Sequence, residues 1–172
     1  MIYTSRYSNK QLRQPGYYPV GISVGKPKFE LGYILRDQCY ILAPRYNMLQ
    51  MEQGEYRTAY MAKLNESPQK VIGVVRRLEA AAKAEGKPLV LLCFEDVRIP
   101  SDWCHRRLFA EWWKEHTGEE VNELPNPDPP KIKKPATKAA STKEPTPLAP
   151  ATRPEAPSEP EPVFQQLSLF PA

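Results

Sequence analysis

No stretch of this chain stays apolar over the about 18 residues that a helix needs to cross a bilayer, so no membrane partner is expected. Its opening, MIYTSRYSNKQL, also lacks the charged and then apolar pattern of a secretory leader. Cysteine is scarce and odd in number, at Cys39, Cys93 and Cys104, which argues against a disulfide framework and predicts a reduced, cytoplasmic protein. A Gly-rich phosphate loop is missing, whether of the form GxGxxG or GxxxxGK followed by Ser or Thr. A strong excess of positive charge is missing too. The net charge of +4 splits into 18 Lys/Arg against 15 Asp/Glu before Pro125 and 6 against 5 after it. That balance is too even for a protein that holds DNA by neutralising many phosphates, so any nucleic-acid contact must be local or delivered by a partner.

What is present divides sharply at Leu124. Of the 20 prolines 13 lie beyond it, whereas nearly all the tryptophan, tyrosine and valine lies before it. Residues 1–124 carry the makings of one core. Residues 125–164 have too few large apolar side chains to offset the entropy of ordering them and read as a disordered Pro-rich linker. Such a tether of about 40 residues spans roughly 35 Å as a flexible coil, and its prolines lengthen it. Residues 165–172 end the chain on an apolar island.

Within the first part, Ile2 to Ser8 and Tyr17 to Val24 have the β-rich character of two short strands. Gly25 to Met51 has no clear period and reads as an irregular excursion packed by its aromatics. Tyr56, Tyr60 and Leu64 share one helical face. Ser67 as N-cap, Pro68 at the first helical position and Gly86 as stop bound a second helix, along which Val71, Val74, Val75 and Leu78 form a stripe. The continuous apolar run LVLLCF after Pro88 predicts a strand buried on both faces, and a helix leading directly into it implies an α/β crossover. Asp102 is the expected N-cap of a helix over Trp103 to Thr117, and EEVNEL a last short strand. The expected fold is therefore α/β, with a small, mostly parallel sheet flanked by helices and a disordered Pro-rich tail.

The reactive side chains gather in LLCFEDVRIPSDWCHRR, residues 91–107. Cys93, Glu95 and Asp96 fall at the C-terminal end of the buried strand, the edge where open α/β sheets bind ligands. Cys104, His105 and Arg106 fall at a helix start, which favours anions and thiolates. Adjacent helical residues point about 100° apart, so Cys93 with His105, or Cys104 with Glu95 or Asp96, are better matched than Cys104 with His105. Arg106 is expected to hold phosphate. Taken singly, each of these residues also has a structural reading as a buried thiol, a capping histidine or a surface ion pair. Cys93, Cys104 and His105 make a poor metal site by the rules for structural zinc, which takes four ligands and CxxC-type spacing, so no metal is expected.

These motifs resemble the domain of unknown function 488 family. Its members carry a strand ending Leu-Leu-Cys-x-Glu and then Cys-His-Arg at a helix start, matched here by Leu91, Leu92, Cys93, Glu95, Cys104, His105 and Arg106. LFAEWW, GEEVNEL, YTSRYS, GISVGKPKF and LAPRYNML are similar to further segments of that family. The resemblance implies an α/β fold with a polar site around the cysteines and names neither a reaction nor a cofactor. The family's usual Asp-Val-Arg on the second strand is replaced by Gly21, Ile22 and Ser23, so that acid and base are not carried over.

The tail ends QQLSLFPA. Gln166, Leu167, Ser168, Leu169 and Phe170 closely resemble the Gln-Leu-Ser/Asp-Leu-Phe peptide by which bacterial replication and repair proteins bind the DNA polymerase β sliding clamp. In that mode glutamine is hydrogen-bonded, while leucine and phenylalanine fill an apolar pocket. Two readings follow. One is a clamp-recruited enzyme of a bacterium or its virus, acting on a nucleotide or nucleic acid through Cys93, Glu95, Cys104, His105 and Arg106. The other is a non-catalytic adaptor or inhibitor that occupies the clamp and binds a nucleotide or protein partner with its domain.

Overall fold

Leu89–Cys93, a strand of five fully buried residues, lies at the middle of the sheet around which the chain is built. This architecture is seen in a computed structural model that describes residues 1–130. The elements are β1 (Ile2–Arg6), β2 (Tyr18–Gly21), β3 (Asp37–Gln38), α1 (Gln53–Asn65), α2 (Pro68–Ala84), β4 (Leu89–Cys93), α3 (His105–Thr117) and β5 (Asn122–Glu123). The strands form one five-stranded sheet in the order β3-β2-β4-β1-β5. Every pairing is parallel, which sharpens the expected mostly parallel sheet.

The alternation of β4 sorts its side chains between two cores. Leu89, Leu91 and Cys93 pack with Tyr56, Tyr60 and Leu64 of α1, Val71 and Val75 of α2, and Phe109, Trp112 and Trp113 of α3. Val90 and Leu92 face the other way, against Tyr7, Leu12 and Leu124 with Tyr17, Leu31, Tyr33 and Leu35 at the margin. That second face is closed by irregular aromatic segments instead of α-helices. The excursion between Gly25 and Met51 is thereby accounted for: part of it is this cover. It also holds the two-residue strand β3 and a 3₁₀ turn at Tyr46–Gln50.

Both expected middle helices form, and α2 begins with Pro68 at its first turn. Its N-cap Ser67 makes no side-chain capping bond, so the start rests on the proline's fixed φ. At its end Gly86, at φ 68°, takes the left-handed conformation while its N–H bonds the Lys83 carbonyl at 2.9 Å.

The third helix starts later than expected, because residues 96–102 wind through two successive turns. The Ile99 N–H bonds the Asp96 carbonyl and the Asp102 N–H bonds the Ile99 carbonyl, each at 2.9 Å. Asp102 therefore belongs to a turn, and Cys104 is the N-cap. The boundary expected at Leu124 also falls later. Asn9 donates to the Pro125 carbonyl at 3.0 Å, and Arg98 Nη1 donates to the carbonyls of Asn126 and Asp128 at 3.0 and 2.7 Å.

Cavity formation in this core predicts that Leu91→Ala loses about 2–5 kcal/mol of stability. Ile34→Ala, at a side chain 76 % exposed, should stay within about 0.5 kcal/mol of the parent. Urea unfolding of the two variants checks this, and equal losses would contradict the placement of β4 at the centre.

Candidate active site

The site forms where β4 ends and α3 begins. Cys93 is the last residue of β4 and points to the helix-covered face. Glu95 follows two residues on. Cys104 caps α3 with an extended backbone, φ −148° and ψ 141°, so its side chain is freed from helical geometry and turns back toward the strand end. His105, the first helical residue, can then share the same space. This overturns the expectation that Cys104 and His105 face apart, since that argument required both to be helical.

The distances are short. Glu95 Oε2 stands 3.0 Å from the Sγ of Cys93 and 3.0 Å from the Sγ of Cys104. His105 Nδ1 lies 3.8 Å from each sulfur. The other ring nitrogen, Nε2, is 2.9 Å from the Ile22 carbonyl. A carbonyl only accepts, so Nε2 carries a proton and donates it. Tyr60 closes over the imidazole edge-on, with ring centroids 5.3 Å apart, and its hydroxyl donates to the Leu42 carbonyl at 2.7 Å.

Electrostatics separates these groups. The neighbouring Cys104 sulfur and burial together hold the Cys93 thiol well above its ordinary range. Burial alone would raise Cys104 as well, but the Cys93 thiol, the His105 ring and the Arg106 guanidinium face it and outweigh that cost, so Cys104 is the member of the pair that ionises first. Burial, reinforced by the neighbouring Cys104, raises the Glu95 carboxyl. Cys39 stands apart, and burial pushes its thiol up to about 11.

Arg106 and Asp96 are fasteners. Arg106 is fully buried; its Nε and Nη2 donate to Glu123 at 3.0 and 2.9 Å, and its Nη1 to the Glu95 carbonyl at 2.9 Å. Each of its three nitrogens donates within the fold and none reaches solvent, which corrects the expectation that it holds phosphate. Asp96 accepts from Arg98 Nε and Nη2 at 2.9 and 2.8 Å and from Arg6 at 2.6 Å. The Arg98 bonds, with Arg6 beside them, hold its carboxyl well below the usual range despite burial.

Above the cluster opens a cavity of about 340 Å³. Cys93, Glu95, Cys104 and His105 all line it, and Tyr56, Phe94, Trp103, Pro44 and Leu49 supply most of the apolar wall. Tyr56 and Trp103 meet edge to face, with centroids 4.6 Å apart. Sequence reasoning missed these walls: Tyr56 was legible only as core, and Trp103 as the start of a helix. A larger cavity, about 1090 Å³, lies at the opposite strand ends beside Met1, Tyr17 and Pro88 and contains no thiol.

The expected partner-binding residues Gln166, Leu167, Ser168, Leu169 and Phe170 lie outside the described residues. Among the described residues, no helix is long and apolar enough to cross a membrane. No family model, curated protein or solved structure matches the chain.

Two predictions follow from the fasteners. Arg106→Ala should lose about 1–3 kcal/mol of stability in denaturant unfolding, because it leaves the Glu95 carbonyl without its donor, while Glu123 is partly exposed and keeps its bond from Thr4. Arg106→Lys should not restore it, since an ammonium cannot make the same fork; full rescue by lysine would contradict this role. The depressed Asp96 contributes stability that is fully present above its unfolded pKa of about 3.9 and is lost as pH falls further. The stability gap between parent and Asp96→Asn should therefore shrink below about pH 4. A gap that widens in acid would show the sign to be wrong.

Proposed function

We propose that this chain is an enzyme acting on a nucleotide or nucleic acid, with Cys93, Glu95, Cys104 and His105 as its reaction centre. The peptide Gln166–Phe170 delivers it to DNA through the bacterial β sliding clamp. The observation that carries the enzymatic half is convergence: two thiols share one carboxylate oxygen, at 3.0 Å each, on the wall of an open cavity. This cavity lies at the C-terminal ends of parallel strands, where such sheets bind ligands. A cluster serving packing alone has no need of an opening.

A cavity of about 340 Å³ is at the small end of ligand sites. Its walls of Tyr56, Phe94 and Trp103 suit one planar heterocycle, because every nucleobase offers a face for stacking. Recruitment accounts for the even charge: the clamp encircles DNA, so the domain needs no phosphate-binding surface of its own. The five-for-five likeness of the tail to clamp-binding peptides supports that half. The likeness of residues 91–95 and 104–106 to the domain of unknown function 488 family supports the site. Cytoplasmic location belongs to the same reading.

Two measurements on the full chain test this. In a pull-down with sliding clamp, the parent should bind, while Leu169→Ala with Phe170→Ala, or truncation after Pro162, should weaken binding at least about 30-fold. Undiminished binding by these variants contradicts recruitment. Titration with deoxynucleoside monophosphates and short single strands should quench tryptophan fluorescence, and Trp103→Ala should abolish the response. Clamp binding without any nucleotide or single-strand binding would instead identify a non-catalytic adaptor.

A further inference from the structure

The sulfurs of Cys93 and Cys104 and the Nδ1 of His105 lie within 4.8 Å of one another, and each residue is less than 5 % exposed. Among the described residues, these three atoms have no hydrogen-bond partner except one another and Glu95. We propose that they bind one zinc ion, whose fourth position opens into the aromatic-walled cavity. The inference rests on the proposed function only for what the cavity receives; the metal site stands on its own geometry.

Three observations lead there. Zinc–sulfur and zinc–nitrogen bonds of about 2.3 and 2.0 Å at the tetrahedral angle put neighbouring donor atoms about 3.5–3.8 Å apart. His105 Nδ1 stands 3.8 Å from both sulfurs. The imidazole is also already oriented as a ligand. The bond of Nε2 to the Ile22 carbonyl at 2.9 Å holds the ring with Nδ1 on the side of the two sulfurs, the arrangement by which an outer partner fixes a metal-bound histidine. Two thiolates and an imidazole, finally, are a donor set suited to zinc and poorly suited to magnesium or calcium.

Against four-ligand structural zinc this trio is one ligand short. A three-ligand site with one open position is the catalytic form, and there the absent fourth ligand is the point of the design. Glu95 supplies the remaining element. Its Oε2, on the cavity wall, lies within reach of a water in the open position. A zinc ion held by these three residues would supply a Lewis acid at the cavity floor, and the Glu95 carboxylate beside the two sulfurs would be placed to accept a proton from a water in the open position. Glu95 is then a proton carrier beside the zinc and is not one of its ligands.

The test is zinc binding by the full-length, reduced protein. The parent should carry close to one zinc per chain by plasma mass spectrometry after dialysis, and cobalt substitution should give the intense visible bands of a tetrahedral thiolate site. Cys93→Ser, Cys104→Ser and His105→Ala should each lower zinc affinity at least about 10-fold, with circular dichroism confirming that they remain folded. Cys39→Ser and Glu95→Gln should keep the full complement. Zinc content below a tenth of an equivalent, with no uptake from micromolar zinc, overturns the proposal. Loss of zinc in Glu95→Gln overturns the open position. Nucleotide titration separates the two readings: protein that takes up no zinc yet binds nucleotides rejects only the zinc site, and zinc-loaded protein that binds none rejects only the proposed function.

Discussion

A guanidinium with no exposure to water, that of Arg106, binds the Glu95 carbonyl on one side and the Glu123 carboxylate on the other. Those bonds tie the chain leaving the central strand to the first turn of α3 and to the edge strand β5. Arg106 extends from the first turn of the helix, whereas Glu95 is two residues past the end of β4. The contact therefore fixes the gap across which the thiols of Cys93 and Cys104 must meet. Burying a guanidinium is costly unless every donating face is satisfied. The cost is met by the same groups that align the site, so loss of the site and loss of the fold edge come together.

The sheet was legible in the sequence because its strongest signal is local. LVLLCF has no polar position to place on an exposed face, although its last residue, Phe94, lies past the end of β4 and is 39 % exposed. It therefore had to be a strand covered on both sides, and β4 is buried at every position. The stripes of α1 and α2 were equally plain. The cover of the second face was not. Tyr7, Leu12, Leu31, Tyr33 and Leu35 come from separate segments without a common period, and only the folded chain brings them together. The start of α3 was misplaced for a related reason: Asp102 has the chemistry of an N-cap, but tertiary turns from Asp96 onward claim its N–H.

The site was half legible. The residue types pointed to Cys93, Glu95, Cys104 and His105, and two of the anticipated pairings, Cys93 with His105 and Cys104 with Glu95, are present. What spacing could not reveal was the extended backbone of Cys104, which brings two adjacent side chains to the wall of one cavity. Nor could it reveal Ile22, whose side chain is ordinary core and whose carbonyl orients the histidine. Backbone acceptors leave no trace in residue type. Arg106 shows the converse error: a basic residue beside a reactive cluster invites assignment to phosphate, and burial assigns it to the scaffold.

The account turns on whether the two thiols and the imidazole act on one centre. X-ray absorption at the zinc edge, on the full-length protein loaded with one equivalent of zinc, measures this directly. The account predicts two sulfurs at about 2.3 Å, one imidazole nitrogen at about 2.0 Å and one further light atom. A shell of oxygen and nitrogen alone, without sulfur, would contradict it.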